Sequence, residues 1–517
     1  MKLNYKRTIL VGFAFFLISA FWQAYDATIP VILTNKFGMS QTWSGVIMAL
    51  DNILAVFMLP LFGALSDKSR SKFGKRTPFI VRGTIIAALA FLSLSFVDAA
   101  QLNNIAPVAT IDDPAALEII YDTQAEAELL TPEGDRFVLS EVFTQEEFTA
   151  LRMKITDEET GEEITNPDYT NYVAPARQAY AAQQTAARPG ALIAFILLLL
   201  VVLVAMATFR SPAVALMPDV TIKPLRSKAN AVINLMGTAG GILVLVLGMV
   251  FSTSVIRNAL MSYTVFYSII AAIMLGALAV FLLTVREPQW SAMCHDYSVA
   301  NGLEDDDKAG GENRGLSPAE KKSLILILLS IALWYFGYNA VTSKYSVYAT
   351  NILNKDYNTT MLLSQAAAII SYLPAGMVAS KIGRKKTILA GVVMLTAAFG
   401  AAAFMRASSP TWAMNIFFAL AGIAWATINV NSFPMVVELC SGADIGKYTG
   451  FYYTASMTAQ IVTPMLSGFL MDNLGMTVLF PYAAIFVALA FATMSLVRHG
   501  DAKVAAKKGL EALDVDD

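Results

Sequence analysis

Charge is scarce in this chain. Of its 517 residues only 15% are Asp, Glu, Lys or Arg, and 56% are hydrophobic. A soluble domain carries roughly 25% charged residues, so there are too few here to coat a water-facing surface of this size. Cysteine is nearly absent as well. Cys294 and Cys440 cannot build a disulfide framework, and both fall on the side placed below in the cytoplasm, which predicts reduced thiols. There are only two histidines and no Cys/His cluster at ligand spacing, so neither a metal nor any other cofactor is expected. Nucleophile elbow, phosphate loop and GxGxxG turn are all missing, and no enzymatic chemistry is expected. A net charge of −2 without a basic tract leaves nucleic acid nothing to bind.

What the chain has in abundance is long apolar runs, with a mean hydropathy of +0.56. About 20 apolar residues carry a helix across the hydrocarbon layer, where the backbone must satisfy its own hydrogen bonds. Twelve such segments are predicted, roughly 8–30, 43–65, 78–97, 190–217, 229–251 and 262–285, then 322–350, 358–379, 387–405, 411–438, 447–470 and 475–497. The first run is too long for a signal-peptide core and lacks a small-residue cleavage site, so it is read as helix 1. The expected fold is an all-α membrane protein of twelve helices in two six-helix halves.

Lysine and arginine set the orientation. With the N-terminus in the cytoplasm, that side holds Lys2, Lys6, Arg7, the run from Lys68 to Arg82, Lys381 to Lys386, and Arg498, Lys503, Lys507 and Lys508. The short outer loops keep Lys36, Arg257, Lys355 and Arg406. Both termini are therefore expected in the cytoplasm, and the helices are expected to cross a cell (inner) membrane many times, in contact with its lipid.

Six regions follow. Residues 1–97 hold helices 1–3 and 189–285 hold helices 4–6. Between them, 98–188 form an extracytoplasmic insertion with 18 acidic and 5 basic residues. Its segments RFVLSEVF and ALRMKITDEETGEEITN alternate apolar and polar residues around a TGE turn, a period of two that predicts a small strand-containing domain. Residues 286–321 are polar and read as a cytoplasmic linker. The second six-helix half spans 322–497, and 498–517 form a cytoplasmic tail.

An internal repeat supports the two halves. The run FWQAYDA from Phe21 faces WYFGYNA from Trp334, and GALSDK from Gly63 faces GMVASK from Gly376, both at an offset of 313. RSPAVALMPD from Arg210 faces NVNSFPMVVE from Asn429 at 219, as Lys228 faces Lys447. The offset falls by 94, close to the 91 residues of the insertion, which therefore interrupts one copy of a duplicated unit.

The loop GALSDKSRSKFGKR and its degraded partner GMVASKIGRKK resemble the loop signature of the major facilitator superfamily. The longer SDKSRSKFGKRTPFI and the segment ALMPDVTIKPLRSKAN resemble the sucrose-carrier branch of the glycoside-pentoside-hexuronide:cation symporter family. The likeness covers both halves and omits the insertion. It implies a carrier, with Gly63, Asp67, Lys75, Arg76, Asp219, Arg226 and Glu438 as gate and charge-network residues. Members resembling the melibiose carrier bind sodium through two acids on helix 2, and those positions are Ala55 and Leu59 here, which argues against sodium coupling of that kind. Plant sucrose carriers have an arginine at the position of Val214; Arg210 lies one turn away.

Ionisable groups inside a membrane helix are costly and are functional candidates. Asp26 and Asp51 are the proton-coupling candidates. Arg210 and Lys344 are substrate candidates. A sugar needs rings for its apolar face and amides or carboxylates for its hydroxyls, so Trp22, Tyr25, Asp26, Asn52, Trp334, Tyr338, Asn339, Asn429 and Asn431 join them. The expected function is proton symport of a glucoside or disaccharide, such as sucrose or maltose, by a monomer using alternating access. The alternatives are an exporter of drugs or amphipathic ions, with a greasier pathway, and a transporter-shaped sensor whose outer domain binds a ligand.

Overall fold

The computed structural model describes residues 3–156, 163–222, 225–253, 260–300, 316–439 and 445–500. Among them are twelve long helices. Helices 1–6 are Tyr5–Val31, Gln41–Asp67, Thr77–Asn104, Gly190–Asp219, Arg226–Val250 and Thr264–Thr284. Helices 7–12 are Pro318–Tyr348, Tyr357–Ile382, Arg384–Ala402, Thr411–Val437, Ile445–Leu474 and Leu479–Ser495. Ten spans among the described residues are long and apolar enough to cross a membrane. Helices 8 and 11 are not among them, and helix 11 is rich in Thr and Ser. The protein is a multi-pass membrane protein.

Local chemistry starts several helices. Ser317 accepts from Glu320 N while Glu320 reaches back to the Ser317 N–H, a capping box that opens helix 7. Asp356 accepts from the N–H groups of Asn358 and Thr359 and opens helix 8. Helices 1 and 7 each end in a π-helical turn, Ile32–Lys36 and Ala349–Leu353. Single π turns recur where a helix must redirect a side chain for function.

Two hydrophobic cores follow the two halves. One gathers Phe21, Phe91, Phe209 and Tyr267 from helices 1, 3, 4 and 6. The other gathers Trp334, Tyr345, Phe399 and Phe480 from helices 7, 9 and 12. At the end that carries the insertion the first half also buries an ion pair, with Lys36 Nζ 2.6 Å from Asp98 Oδ1 and both side chains fully buried. The Lys36 ammonium also donates to the Met261 carbonyl at 2.6 Å. Lys36 is thus no loop charge, and Asp98 is part of helix 3, which runs on to Asn104.

The insertion is compact and mostly helical. It holds helices Pro114–Gln124 and Ala174–Ala187 and two antiparallel hairpins, Glu128–Leu130 with Arg136–Val138 and Lys154–Thr156 with Glu163–Thr165. The TGE turn lies outside the described residues. The segment RFVLSEVF is only half strand, because Leu139–Val142 turns helical. Leu117, Ile120, Phe148, Tyr169 and Val173 form a separate core that also takes Leu260 from the loop after helix 5.

Helices 2 and 11 pack across the halves at the end that carries the insertion. A Cβ on Gly45 would lie 1.9 Å from the Pro464 carbonyl oxygen, so only glycine fits there. At the opposite end, which carries the termini, the same helices part around a cavity of about 810 Å³ lined by Leu59, Gly63, Asp67 and Tyr453. Helices 2 and 11 thus touch at the insertion end and stand apart around that cavity toward the terminal end.

Candidate functional site: a cavity between the halves

Helices from both halves bound a central cavity of about 550 Å³. Helix 1 contributes Trp22, Gln23 and Asp26, helix 4 Arg210, and helix 5 Asn234 and Thr238. The second half answers with Tyr338, Gln365, Tyr372, Trp425 and Asn429. Tyr338 and Trp425 stack with ring centroids 3.7 Å apart and planes 7° from parallel, giving a flat apolar wall. Gln365 donates to Gln23 Oε1 at 2.6 Å, a direct hydrogen bond between side-chain amides of the two halves.

A second, smaller cavity of about 200 Å³ adjoins it, lined by Asp26, Asp51, Asn52, Asn339, Ser343 and Gln460 among others. Trp22, Asp26 and Arg210 line both cavities. The Arg210 guanidinium lies 5.8 Å from the Trp22 ring centroid, within cation–π range. Asn52 donates to Asp51 at 2.8 Å. Trp22 Nε1 and Asn339 Nδ2 are buried donors without a protein partner. Most buried polar groups find one.

Four candidates lie elsewhere. Trp334 is 1% exposed and fills the core of the second half. Tyr25 is likewise 1% exposed, edge-on to Trp22 and tilted against Phe21. Lys344 is buried at the insertion end, where its ammonium donates to the Gln41 carbonyl at 2.6 Å. Asn431 turns back on its own helix and donates to the Thr427 carbonyl. Both seam residues at the ends of helices 1 and 7, Asn35 and Asn351, also went unsuspected; they exchange hydrogen bonds across the halves.

Gln23, Asn234, Gln365, Tyr372, Trp425 and Gln460 were missed as well. An uncharged amide in an apolar run raises no cost as large as an ion does, so a search for ionisable groups passes over it. Gln23 stood in plain view within the repeated FWQAYDA run, opposite the apolar Phe336.

The loop residues form two belts at the terminal end. Arg76, buried, bonds Asp67 at 2.5 Å, Asp219 at 2.7 Å and Ser66. Glu287, unsuspected from sequence, accepts from the N–H groups of Arg76 and Thr77 and from the Thr77 hydroxyl. In the second half Arg384 bonds Glu438 at 2.5 Å. Gly63 lets helix 2 approach helix 4, since a Cβ there would sit 2.9 Å from Ser211 Oγ. Lys75 is exposed, outside the belt. Arg226 heads helix 5, and its side chain lies outside the described residues. Each belt stays within its own half, so among the described ion pairs none crosses the seam at this end.

Twelve long helices in two halves around a shared polar cavity define a membrane protein of the transporter type. A model described as MFS/sugar transport protein matches residues 10–102, and one described as Major Facilitator Superfamily matches 323–513. One model thus falls in each half, and the chain belongs to the major facilitator superfamily. It is 26% identical over 142 residues to the MFS-type transporter ppzB of Metarhizium rileyi, 27% of this chain and 29% of that one. It is 29% identical over 72 residues to the sucrose transport protein SUC4 of Arabidopsis thaliana, 14% of each chain. The alignments thus span under a third of these relatives. Among solved structures, the inward-open xylose transporter XylE of E. coli superposes with a TM-score of 0.58 at 13% identity over 99% of both chains. The nucleoside transporter NupG gives 0.52 at 15% identity, over 95% of this chain and all of that one.

Proposed function

We propose that the protein is an alternating-access carrier that moves a glucoside or disaccharide in symport with protons, with the terminal end in the cytoplasm and the insertion outside. The observation that carries the reading is the wall of Trp22, Asp26 and Arg210 shared by the two cavities. A solute in the larger cavity touches the same carboxylate that faces Asp51 in the smaller one.

The larger cavity suits a sugar. Its volume lies within the roughly 300–1,000 Å³ of ligand pockets. The Tyr338–Trp425 stack and Trp22 offer rings to an apolar sugar face, and Gln23, Asn234, Gln365 and Asn429 offer amides to its hydroxyls. The unpartnered donors of Trp22 and Asn339 await an acceptor there or in the adjoining cavity. The family model over residues 10–102 and the short match to a sucrose carrier point the same way.

Coupling follows from charge. With Asp26 and Asp51 both ionised, Arg210 neutralises only one of them; a proton on the other lets the cavity change sides without a net buried charge. In proteoliposomes, an inward proton gradient should concentrate a radiolabelled glucoside or disaccharide from a sugar panel. Absence of uptake for every sugar, with or without the gradient, would sink this reading.

A further inference from the structure

The insertion belongs to one half by construction and touches both. Toward the first half it is fixed by a packed core that includes Leu260, by helix 3 running directly into it, and by Gln101, which donates to the Lys36 carbonyl at 2.8 Å and to Thr185 at 3.0 Å. A Cβ on Gly38 would lie 2.2 Å from the Ala182 nitrogen, so the first outer loop and the last insertion helix are in backbone contact. This attachment does not come apart without unfolding.

Toward the second half the contact is thin and polar. Met476 donates its N–H to the Pro132 carbonyl at 2.8 Å. Gly134 and Gly475, both at positive φ, lie so close that a Cβ on either would meet the other's loop backbone within 2.7 Å. Asn354 donates to Thr170 at 3.1 Å, and Glu133 lies 3.5 Å from Arg406 in an exposed pair. At the centre, Asn35 Oδ1 accepts from both Gln178 of the insertion and Asn351 of helix 7. Insertion, first half and second half meet at that one oxygen.

We propose that the insertion is a latch: carried rigidly by the first half, it docks on the 474–476 loop and Asn354 of the second and holds this end shut. When the halves part at this end, the 131–134 turn and Thr170 must leave their partners, so these contacts set the balance between the closed and open arrangements. The inference rests on the alternating-access part of the proposed function and on no property of the solute.

The test uses the full chain in nanodiscs, reading amide exchange at 30–40 and 348–356, the seam peptides. Gly134→Val with Thr170→Val removes the close approach and one acceptor. Each hydrogen bond lost is a factor of roughly five in an equilibrium, so seam exchange should rise roughly five- to thirtyfold while peptides 114–124 and 174–187 stay protected. The converse variant carries Glu133→Cys and Arg406→Cys in a background of Cys294→Ser and Cys440→Ser, joined by a thiol-cleavable bis-methanethiosulfonate linker. Joined, the seam should exchange several-fold more slowly than wild type; cleaved, it should recover. If the joined and cleaved forms exchange alike, the latch is refuted, even where the first variant misfolds. If both variants behave as expected but no sugar is transported, the latch stands and the sugar assignment falls.

Discussion

The two halves descend from one repeat, yet only the first keeps charge in the cavity. Asp26 faces Asn339 at the offset of 313, and Arg210 faces Asn429 at 219. Asp26 and Arg210 line the same cavities as Asn339 and Asn429, their amide counterparts. An amide can pair with a solute hydroxyl in any protonation state of its surroundings, whereas a carboxylate can also exchange a proton. Under the proposed function the duplication implies a division of labour, in which both halves would grip the solute and only the first would exchange a proton.

Substitutions can break that comparison. Asp26→Asn makes the first half resemble the second, and it should abolish accumulation driven by a pH gradient while sparing sugar exchange across the membrane. If Asp26→Asn and Asp51→Asn proteins both still concentrate sugar, the charged half is not the coupling half. Trp334→Ala tests the opposite claim, that this repeat partner of Phe21 only fills a core. It should lower stability by about 3–5 kcal/mol, as for a buried Trp truncation, and leave sugar affinity in the surviving fold unchanged. Lost affinity without lost stability would return Trp334 to the site.

Smaller effects sharpen the picture. Arg210→Gln equalises the halves at the second charged position, and uptake should fall by roughly ten- to a hundredfold, the worth of a charge-assisted hydrogen bond of about 1.5–3 kcal/mol. Trp22→Ala and Asn339→Ala, one from each half, should each weaken sugar binding by about five- to a hundredfold, since an unmatched buried hydroxyl costs roughly 1–3 kcal/mol. Unequal losses would show that one half grips harder. Least of all, replacing 106–187 with a Gly/Ser linker should leave both helical halves folded and stable in detergent, read by size-exclusion chromatography. Cutting from residue 98 instead removes Asp98 and strands the buried Lys36 ammonium, which is strongly destabilising.

The helical architecture and the repeat were legible because apolar length and fixed offsets are one-dimensional signals. Asp26, Asp51 and Arg210 were legible because an ion in an apolar run is conspicuous. What escaped depends on packing: Trp334 and Tyr338 sit one turn apart on nearly the same side of helix 7, yet one is buried in the core and the other stacks on Trp425 at the cavity wall. Their neighbours, and not their places in the run, tell the two rings apart. The insertion's period of two was real in its hairpins, but its helices rest on a core with Leu260, a residue far along the chain.

During synthesis, helix 11 emerges after ten others. It carries Thr454, Ser456, Thr458, Gln460, Thr463 and Asp472, and a segment so polar partitions poorly into lipid unaided. Its partner comes from the opposite half: Gly45 of helix 2 receives Pro464, and Asp472 accepts from the N–H groups of Gln41 and Thr42. Helix 2 is therefore a waiting template, already seated when helix 11 leaves the ribosome. A circular permutant that makes the second half first would ask helix 11 to enter the bilayer before that template exists, and its biogenesis, rather than its finished structure, is where the loss should be felt.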